Sequence, residues 1–194
     1  MPTYRFVTTW RIEAPIERVF AEIDAVEAWP EWWPMVKAVE RLQDGDADGI
    51  GAVHRMTFVG RLPYRLQFDM RVARRESPTS IVGDATGELA GVGDWSLHEE
   101  GQTTIVRYVW SIRTTRAWMN LLAPLPFVDG IFRFNHHAVM RNGLRGIRQR
   151  LGGVAATYTR EELGRPRPPA AARDPPKGKG LRAGLARCRC GSPP

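Results

Sequence analysis

Residues 10–20, WRIEAPIERVF, mark the change from a strand pattern to a helix pattern. Before Pro15, apolar and polar side chains alternate with the period of two that is typical of a half-buried strand. After it, Ile16, Val19 and Phe20 recur at helical spacing, and proline is favoured in the first turn of a helix. The stretch therefore predicts a strand that is followed directly by a short helix.

The middle of the chain predicts an antiparallel sheet, because alternating segments are separated by turn residues. Residues 64–72 alternate most regularly, with an apolar side chain at every second position. Residues 28–34, AWPEWWP, predict a second short helix or turn, and their three tryptophans could form a half-wet aromatic rim, a packed corner between the short helices and the sheet, or both. Six strands are predicted after the first, near residues 35–42, 52–59, 64–72, 80–87, 88–99 and 103–114.

From residue 127 the period changes, which predicts an amphipathic helix that continues through Leu151 and is about 37 Å long. Gly152 and Gly153 suit its end. A curved sheet can wrap around such a helix and leave a pocket, so we predict an α+β fold with seven antiparallel strands. The residues on the inward stripe of the helix are Phe132, His136, Val139, Met140, Gly143 and Ile147.

The positive charge of the chain is concentrated in its last part. The formal charge is +7, from 28 Lys/Arg and 21 Asp/Glu. Residues 153–194 hold nine Lys/Arg and three Asp/Glu (+6), which leaves 19 and 18 (+1) in residues 1–152. The near-neutral part predicts no specific nucleic-acid partner. The remainder is rich in Pro, Gly and Arg and poor in large apolar residues, so we predict a ligand-binding domain over 1–152 and a disordered basic tail over 153–194.

The cysteines and the apolar segments predict neither a disulfide framework nor a membrane span. Cys188 and Cys190 both lie in the predicted tail, and two cysteines are too few for a metal site. Prolines and charged residues interrupt the apolar stretch 117–134, and the amino terminus lacks the pattern of a signal peptide. We expect a cytoplasmic monomer or homodimer without a metal or cofactor.

Several motifs in their order resemble the polyketide cyclase/dehydrase-like SRPBCC proteins, a superfamily that includes START lipid-transfer domains and the birch pollen allergen. The resemblance covers residues 3–152. It implies the helix-grip fold, with two short helices after the first strand, and the binding of hydrophobic or aromatic small molecules. The motifs are Trp10-x-Ile-x-Ala-Pro-Ile-x-x-Val-Phe, Trp29-Pro-x-Trp32-Trp33-Pro, Gly93-x-Trp95-x-Leu97 and Asn135-His136-x-x-Val139-Met140-x-x-Gly143.

The candidate ligand-binding residues share the inward phase of the predicted strands or of the long helix, or lie in the tryptophan-rich segment. Such a set is mostly apolar with a few polar members, as small-molecule pockets are. The residues are Trp33, His54, Met56, Phe58, Tyr64, Phe68, Tyr108, Trp110, Phe132, Asn135, His136 and Met140.

Two histidines are the candidates for chemistry, although each has a structural alternative. His54 lies between apolar residues of its strand, where it could act as a general acid or base or could be a core histidine bonded to backbone. His136 and Asn135 could orient a ligand or could only pack the helix on the sheet. His137 is rotated by about 100° from His136, so the pair is not expected to share a metal ion.

Three functions agree with these patterns. The first is a carrier or sequestering protein for an aromatic, polyketide-like or lipid molecule. The second is a polyketide aromatase/cyclase that folds its substrate and moves protons with a histidine. The third is a protein-interaction module that uses a sheet edge or the tail. No nucleophile elbow, phosphate loop or dinucleotide fingerprint is present in the sequence.

Overall fold

The computed structural model describes residues 3–60, 65–115 and 128–161, which form one antiparallel sheet and a set of helices that pack on it. Eight strands follow the order β2-β3-β4-β5-β6-β7-β1-β8. The strands are β1 (Thr3–Ile12), β2 (Val36–Gln43), β3 (Val53–Val59), β4 (Arg65–Glu76), β5 (Ser80–Gly87), β6 (Leu89–Glu100), β7 (Thr103–Thr114) and β8 (Ala156–Glu161). The helices are α1 (Ile16–Asp24), a 3-10 turn (Val26–Ala28), α2 (Trp29–Trp32) and α3 (Val128–Arg150).

The predicted α+β architecture is confirmed. All seven predicted strands are present, and β1 is followed by α1 and then by α2, as the opening pattern indicated. The meander from β2 to β7 is closed by β1, which pairs with β7 from Thr3↔Arg113 to Ile12↔Thr104. Alternation along each strand then directs one set of side chains toward α3.

The predicted start of the disordered tail at residue 153 was wrong, because β8 extends the sheet beyond it. Residues 156–161 pair with β1 from Ile12↔Ala156 to Val7↔Glu161. Val154, Ala156 and Tyr158 alternate and pack against the core, which stabilises this short edge strand. Residues 162–194, with Cys188 and Cys190, lie outside the described part of the chain.

Two glycines let α3 approach the tryptophan-rich segment closely. A Cβ atom at Gly143 would lie 2.5 Å from Cε2 of Trp33, and one at Gly146 would collide with the backbone carbonyl oxygen of Trp32. On the same side of α3, Met140, Leu144 and Ile147 are buried. The glycines therefore set the distance between α2 and α3. No helix in the described residues has the length and apolarity needed to cross a bilayer.

Of the two arrangements considered for the tryptophans, the structure has the packed corner and not the half-wet rim, because Trp29, Trp32 and Trp33 are all buried. Nε1 of Trp29 donates to the carbonyl of Ile23 at 3.0 Å, and Nε1 of Trp33 donates to the carbonyl of Val139 at 3.0 Å. Trp32 and Trp33 meet α3 at Gly146 and Gly143, and the Trp29 ring packs on both of them, so the three rings form a corner between the short helices and the sheet. Two of them, Trp29 and Trp33, also reach the interior space described next.

Candidate functional site

An apolar cavity of about 150 Å³ lies between the sheet and α3. Side chains from β1, from β3 to β7, from α1 and α2, and from α3 line it. The sheet supplies most of the wall, and α3 covers it with Phe132, Val139 and Met140. The interior is therefore not filled by side chains, which is the arrangement that the sequence predicted.

Eleven of the twelve candidate residues line this cavity. They come from three strands, from α3 and from the residue after α2, so the fold brings together positions that are up to 107 residues apart (140 − 33). Tyr64 lies outside the described residues. That these side chains bind a ligand stays a prediction. The eleven are Trp33, His54, Met56, Phe58, Phe68, Tyr108, Trp110, Phe132, Asn135, His136 and Met140.

Sequence reasoning missed part of the wall. Tyr4 and Phe6 have the inward phase of β1, and Trp95 has the same phase on β6, so the signal was present in the sequence but these residues were not selected. Trp95 is stacked on Tyr108 with ring centroids 4.0 Å apart. The other missed lining residues are Ile23, Val26, Trp29, Leu66, Met70, Val72, Ile81, Gly83, Leu89, Gly93, Ile112 and Val139.

Flat aromatic faces dominate the sheet side of the cavity. Phe58 and Phe68 are stacked at 5.7 Å, and Phe68 lies 5.8 Å from Trp110. Gly93 makes room for this arrangement, since a Cβ atom there would lie 2.9 Å from both the Tyr108 hydroxyl and the Trp110 ring. Walls of this kind favour a planar ring, because aromatic rings stack or meet edge to face at similar distances.

His136 lines the cavity and has a buried ring nitrogen without a partner among the described residues. Its ring is stacked on Phe6 with centroids 4.3 Å apart. Its Nε2 atom is buried and has no hydrogen-bond partner among the described residues. Burial, and secondarily the neighbouring His137, lowers the pKa of His136 to about 3. The imidazole is therefore neutral at pH 7 and can exchange one hydrogen bond with a guest molecule.

Tyr108 supplies a second polar group that stays uncharged. Burial, and secondarily the charge of Asp94, raises the pKa of the Tyr108 hydroxyl above its usual range. The hydroxyl lies beside Gly93 on the sheet wall, whereas His136 lies on α3. Polar groups thus occur on both sides of the cavity, and both are neutral.

His54 lies at one end of the cavity, and its side chain is 8% exposed. Burial lowers the pKa of His54, and the nearby Glu27 carboxylate partly opposes this shift. Nε2 of His54 is 3.6 Å from Oε1 of Glu27. Since the pKa values of His54 and His136 are both lowered, each imidazole is a weaker proton acceptor than an ordinary histidine.

His137 faces away from the cavity and fixes β8. Its Nδ1 lies 2.6 Å from the hydroxyl of Tyr158, and the Arg141 guanidinium lies 5.3 Å above the Tyr158 ring. His136 and His137 therefore have different surroundings, as their spacing predicted. In residues 3–60, 65–115 and 128–161, no three His, Cys, Asp or Glu side chains are grouped as metal ligands.

Comparisons with known proteins place this fold and cavity in a wider context. Residues 3–158 match the family described as polyketide cyclase/dehydrase and lipid transport. No curated protein matches the chain by sequence. Among solved structures, TTHA0849 from Thermus thermophilus has a TM-score of 0.60 at 18% identity, over 77% of this chain and 99% of that one.

Two further solved structures are similar. The Zhui aromatase/cyclase from Streptomyces sp. R1128 has a TM-score of 0.57 at 18% identity, over 78% of this chain and 93% of that one. Ara h 8.0201 has a TM-score of 0.53 at 15% identity, over 73% of this chain and 95% of that one. At these identities the likeness shows that the fold is shared.

Proposed function

Since the chain belongs to the polyketide cyclase/dehydrase and lipid transport family, we propose that it binds a small, ring-bearing hydrophobic molecule as a carrier or sequestering protein. The observation that carries this proposal is the aromatic cavity between the sheet and α3, which is also lined by His136, whose buried Nε2 has no partner in the described part of the chain. An apolar space with a few polar groups is typical of ligand sites.

The cavity volume restricts the size of the guest. A protein cavity of about 150 Å³ with an apolar lining accommodates benzene, whereas sites for drug-sized ligands measure about 300–1,000 Å³. The space here, at about 150 Å³, therefore suits a single ring with small substituents. Burying its apolar surface supplies about 25 cal/mol per Å² before the cost of association.

A phenol is the ligand class that agrees best with both size and polarity. Its ring would stack between the sheet aromatics and α3, and its hydroxyl could donate to Nε2 of His136. Filling that bond matters, because a buried polar atom without a partner costs about 1–3 kcal/mol. A ligand of the same size without a polar hydrogen leaves this atom unpaired and should bind more weakly.

Native mass spectrometry of freshly purified protein tests whether a guest is present. We expect a mass excess that disappears on denaturation, and the extracted compound should contain one ring and a hydroxyl or similar donor. A clean mass of the protein alone after expression in several hosts, together with no uptake of added phenols, would contradict the proposal.

A second candidate function is cyclisation of a polyketide, which the description of the family and the similarity to an aromatase/cyclase favour. A cyclase needs a proton-transfer group. Burial lowers the pKa of His54, but this residue has no buried ring nitrogen that lacks a partner in the described residues, whereas His136 has one. His54 is therefore better placed than His136 to transfer a proton. His54→Gln should abolish turnover in a cyclase but change the affinity of a carrier only in proportion to one lost contact. The small cavity and the weakly basic histidines favour the carrier.

A further inference from the structure

A second, polar space adjoins the apolar cavity. This polar cleft has a volume of about 580 Å³ and lies between the end of α1, the 3-10 turn, the connection from β2 to β3, and the strands β4 and β5. Four side chains line both spaces, so the two spaces adjoin at these residues. The shared residues are Val26, His54, Val72 and Ile81.

The polar cleft carries an excess of negative charge. Five carboxylates line it but only two arginines, which gives −3 with His54 neutral. Both arginines are already paired, since Arg75 bonds Asp24 at 2.8 and 2.6 Å, and Arg41 bonds Glu27 at 2.6 and 3.0 Å. The carboxylates are Asp24, Glu27, Asp44, Asp46 and Asp48.

His54 is the polar group at the boundary between the two spaces. Its side chain is more than nine-tenths buried, and the 3.6 Å from its Nε2 to Glu27 is longer than a hydrogen bond. Because the ring lines both the apolar cavity and the polar cleft, a ligand that spans them must pass beside it. Each oxygen of the Glu27 carboxylate can accept a further bond beside the one from Arg41, so Nε2 and this carboxylate would then both face one donor group.

We infer that the polar cleft is a second subsite, which receives the cationic end of an amphiphilic ligand whose ring lies in the apolar cavity. The inference rests on the proposed function and extends it to a ligand class, the small arylalkylamines. A primary ammonium has three donors and no acceptor, so it can bond both Glu27 and a neutral His54. An anionic end would meet the three excess negative charges and is disfavoured.

The probes for this subsite share one ring and a two-carbon chain and differ in charge. Isothermal titration of the full chain at pH 7 with 2-phenylethylamine, 2-phenylethanol and phenylacetate separates ring binding from charge recognition. We expect the amine to bind about tenfold more tightly than the alcohol, and phenylacetate most weakly, because hydrogen bonds between ions exceed those between neutral groups. Added salt should weaken the amine alone, since the cleft is open to solvent.

Reciprocal variants of one ion pair test the subsite itself. Glu27→Gln removes a carboxylate and leaves Arg41 with Asp44 as its acidic partner, so it should weaken the amine by about fivefold and strengthen phenylacetate. Arg41→Gln leaves Glu27 unpaired and should strengthen the amine. Both changes should alter the affinity for the uncharged 2-phenylethanol less than the affinity for the amine. Glu40→Gln is the matched control, because this exposed carboxylate of β2 lines neither space and should leave all three affinities unchanged.

The outcomes separate this inference from the proposed function. If the three probes bind equally, or if the two variants leave the preference for charge unchanged, the polar cleft is not a cation subsite although the cavity binds rings. If phenylacetate binds most tightly, the charge assignment is wrong. If none of the three probes binds, the cavity itself is not a site for single rings and both proposals fail.

Discussion

Replacing Gly146 with alanine is expected to lower the free energy of unfolding by about 2–3 kcal/mol. The new methyl group would collide with the carbonyl oxygen of Trp32, a backbone atom that cannot rotate away. The structure can accept the methyl group only if α3 moves away from α2, which loosens the packing around the fully buried Ile147. This loss exceeds the gain of about 1 kcal/mol that alanine brings to a helix interior.

Urea denaturation of two glycine variants measures this effect. Gly130 lies on the same helix with no atom within 4 Å of an added Cβ, so Gly130→Ala should be neutral or should stabilise the protein by up to about 1 kcal/mol. Equal stabilities for Gly130→Ala and Gly146→Ala would show that α3 is not held against α2 at this distance.

A second large effect is expected from His136→Phe, which should stabilise the protein and do so more at low pH. Phenylalanine keeps the ring that stacks on Phe6 and removes the buried Nε2 that has no partner in the described residues. At pH 8, where the imidazole is neutral in both states, the gain should be about 1 kcal/mol.

The pH dependence follows from the lowered pKa of His136. In the unfolded chain a histidine takes up its proton near pH 6.5, whereas the pKa in the folded protein is about 3. Between these values the unfolded state binds more protons, so the histidine protein loses stability as the pH falls. The loss is about 1.4 kcal/mol per pH unit, or about 2 kcal/mol between pH 6.5 and 5. The phenylalanine variant lacks this loss.

Chemical denaturation of both proteins at pH 8, 6.5 and 5 therefore tests whether His136 is neutral in the folded protein. The stability difference between His136→Phe and the unmodified chain should grow from about 1 kcal/mol at pH 8 to about 3 kcal/mol at pH 5. A constant difference over this range would mean that His136 takes up its proton equally well in the folded protein.

The parts of the fold that the sequence predicted depend on local periodicity. The strict alternation through Phe68 and Met70 and the three- and four-residue steps from Phe132 to Ile147 each identify one element and its buried face. The strand β8 was missed because residues 156–161 are few, precede a Pro- and Arg-rich stretch, and pair with β1 at the other end of the chain. Such a pairing leaves no local signal.

In the candidate site too, local periodicity predicted some features and gave no signal for others. The alternation along the strands and the helical spacing of α3 were enough to select His54, Tyr108 and His136 as residues that line one cavity. It could not give the volume of that cavity, which depends on how closely Gly143 and Gly146 let α3 approach. It also could not reveal the polar cleft, because the carboxylates of residues 44–48 appear in the sequence only as turn residues.

The central claim is that the space between the sheet and α3 receives a single-ring guest, and titration with 4-methylphenol tests it most directly. Val139→Phe places an additional ring in the cavity, whereas Val92→Phe makes the same change at an exposed position that lines no part of it. We predict one-to-one binding to the unmodified protein and to Val92→Phe, and no binding to Val139→Phe. Equal binding to all three proteins, or binding to none of them, would contradict the claim.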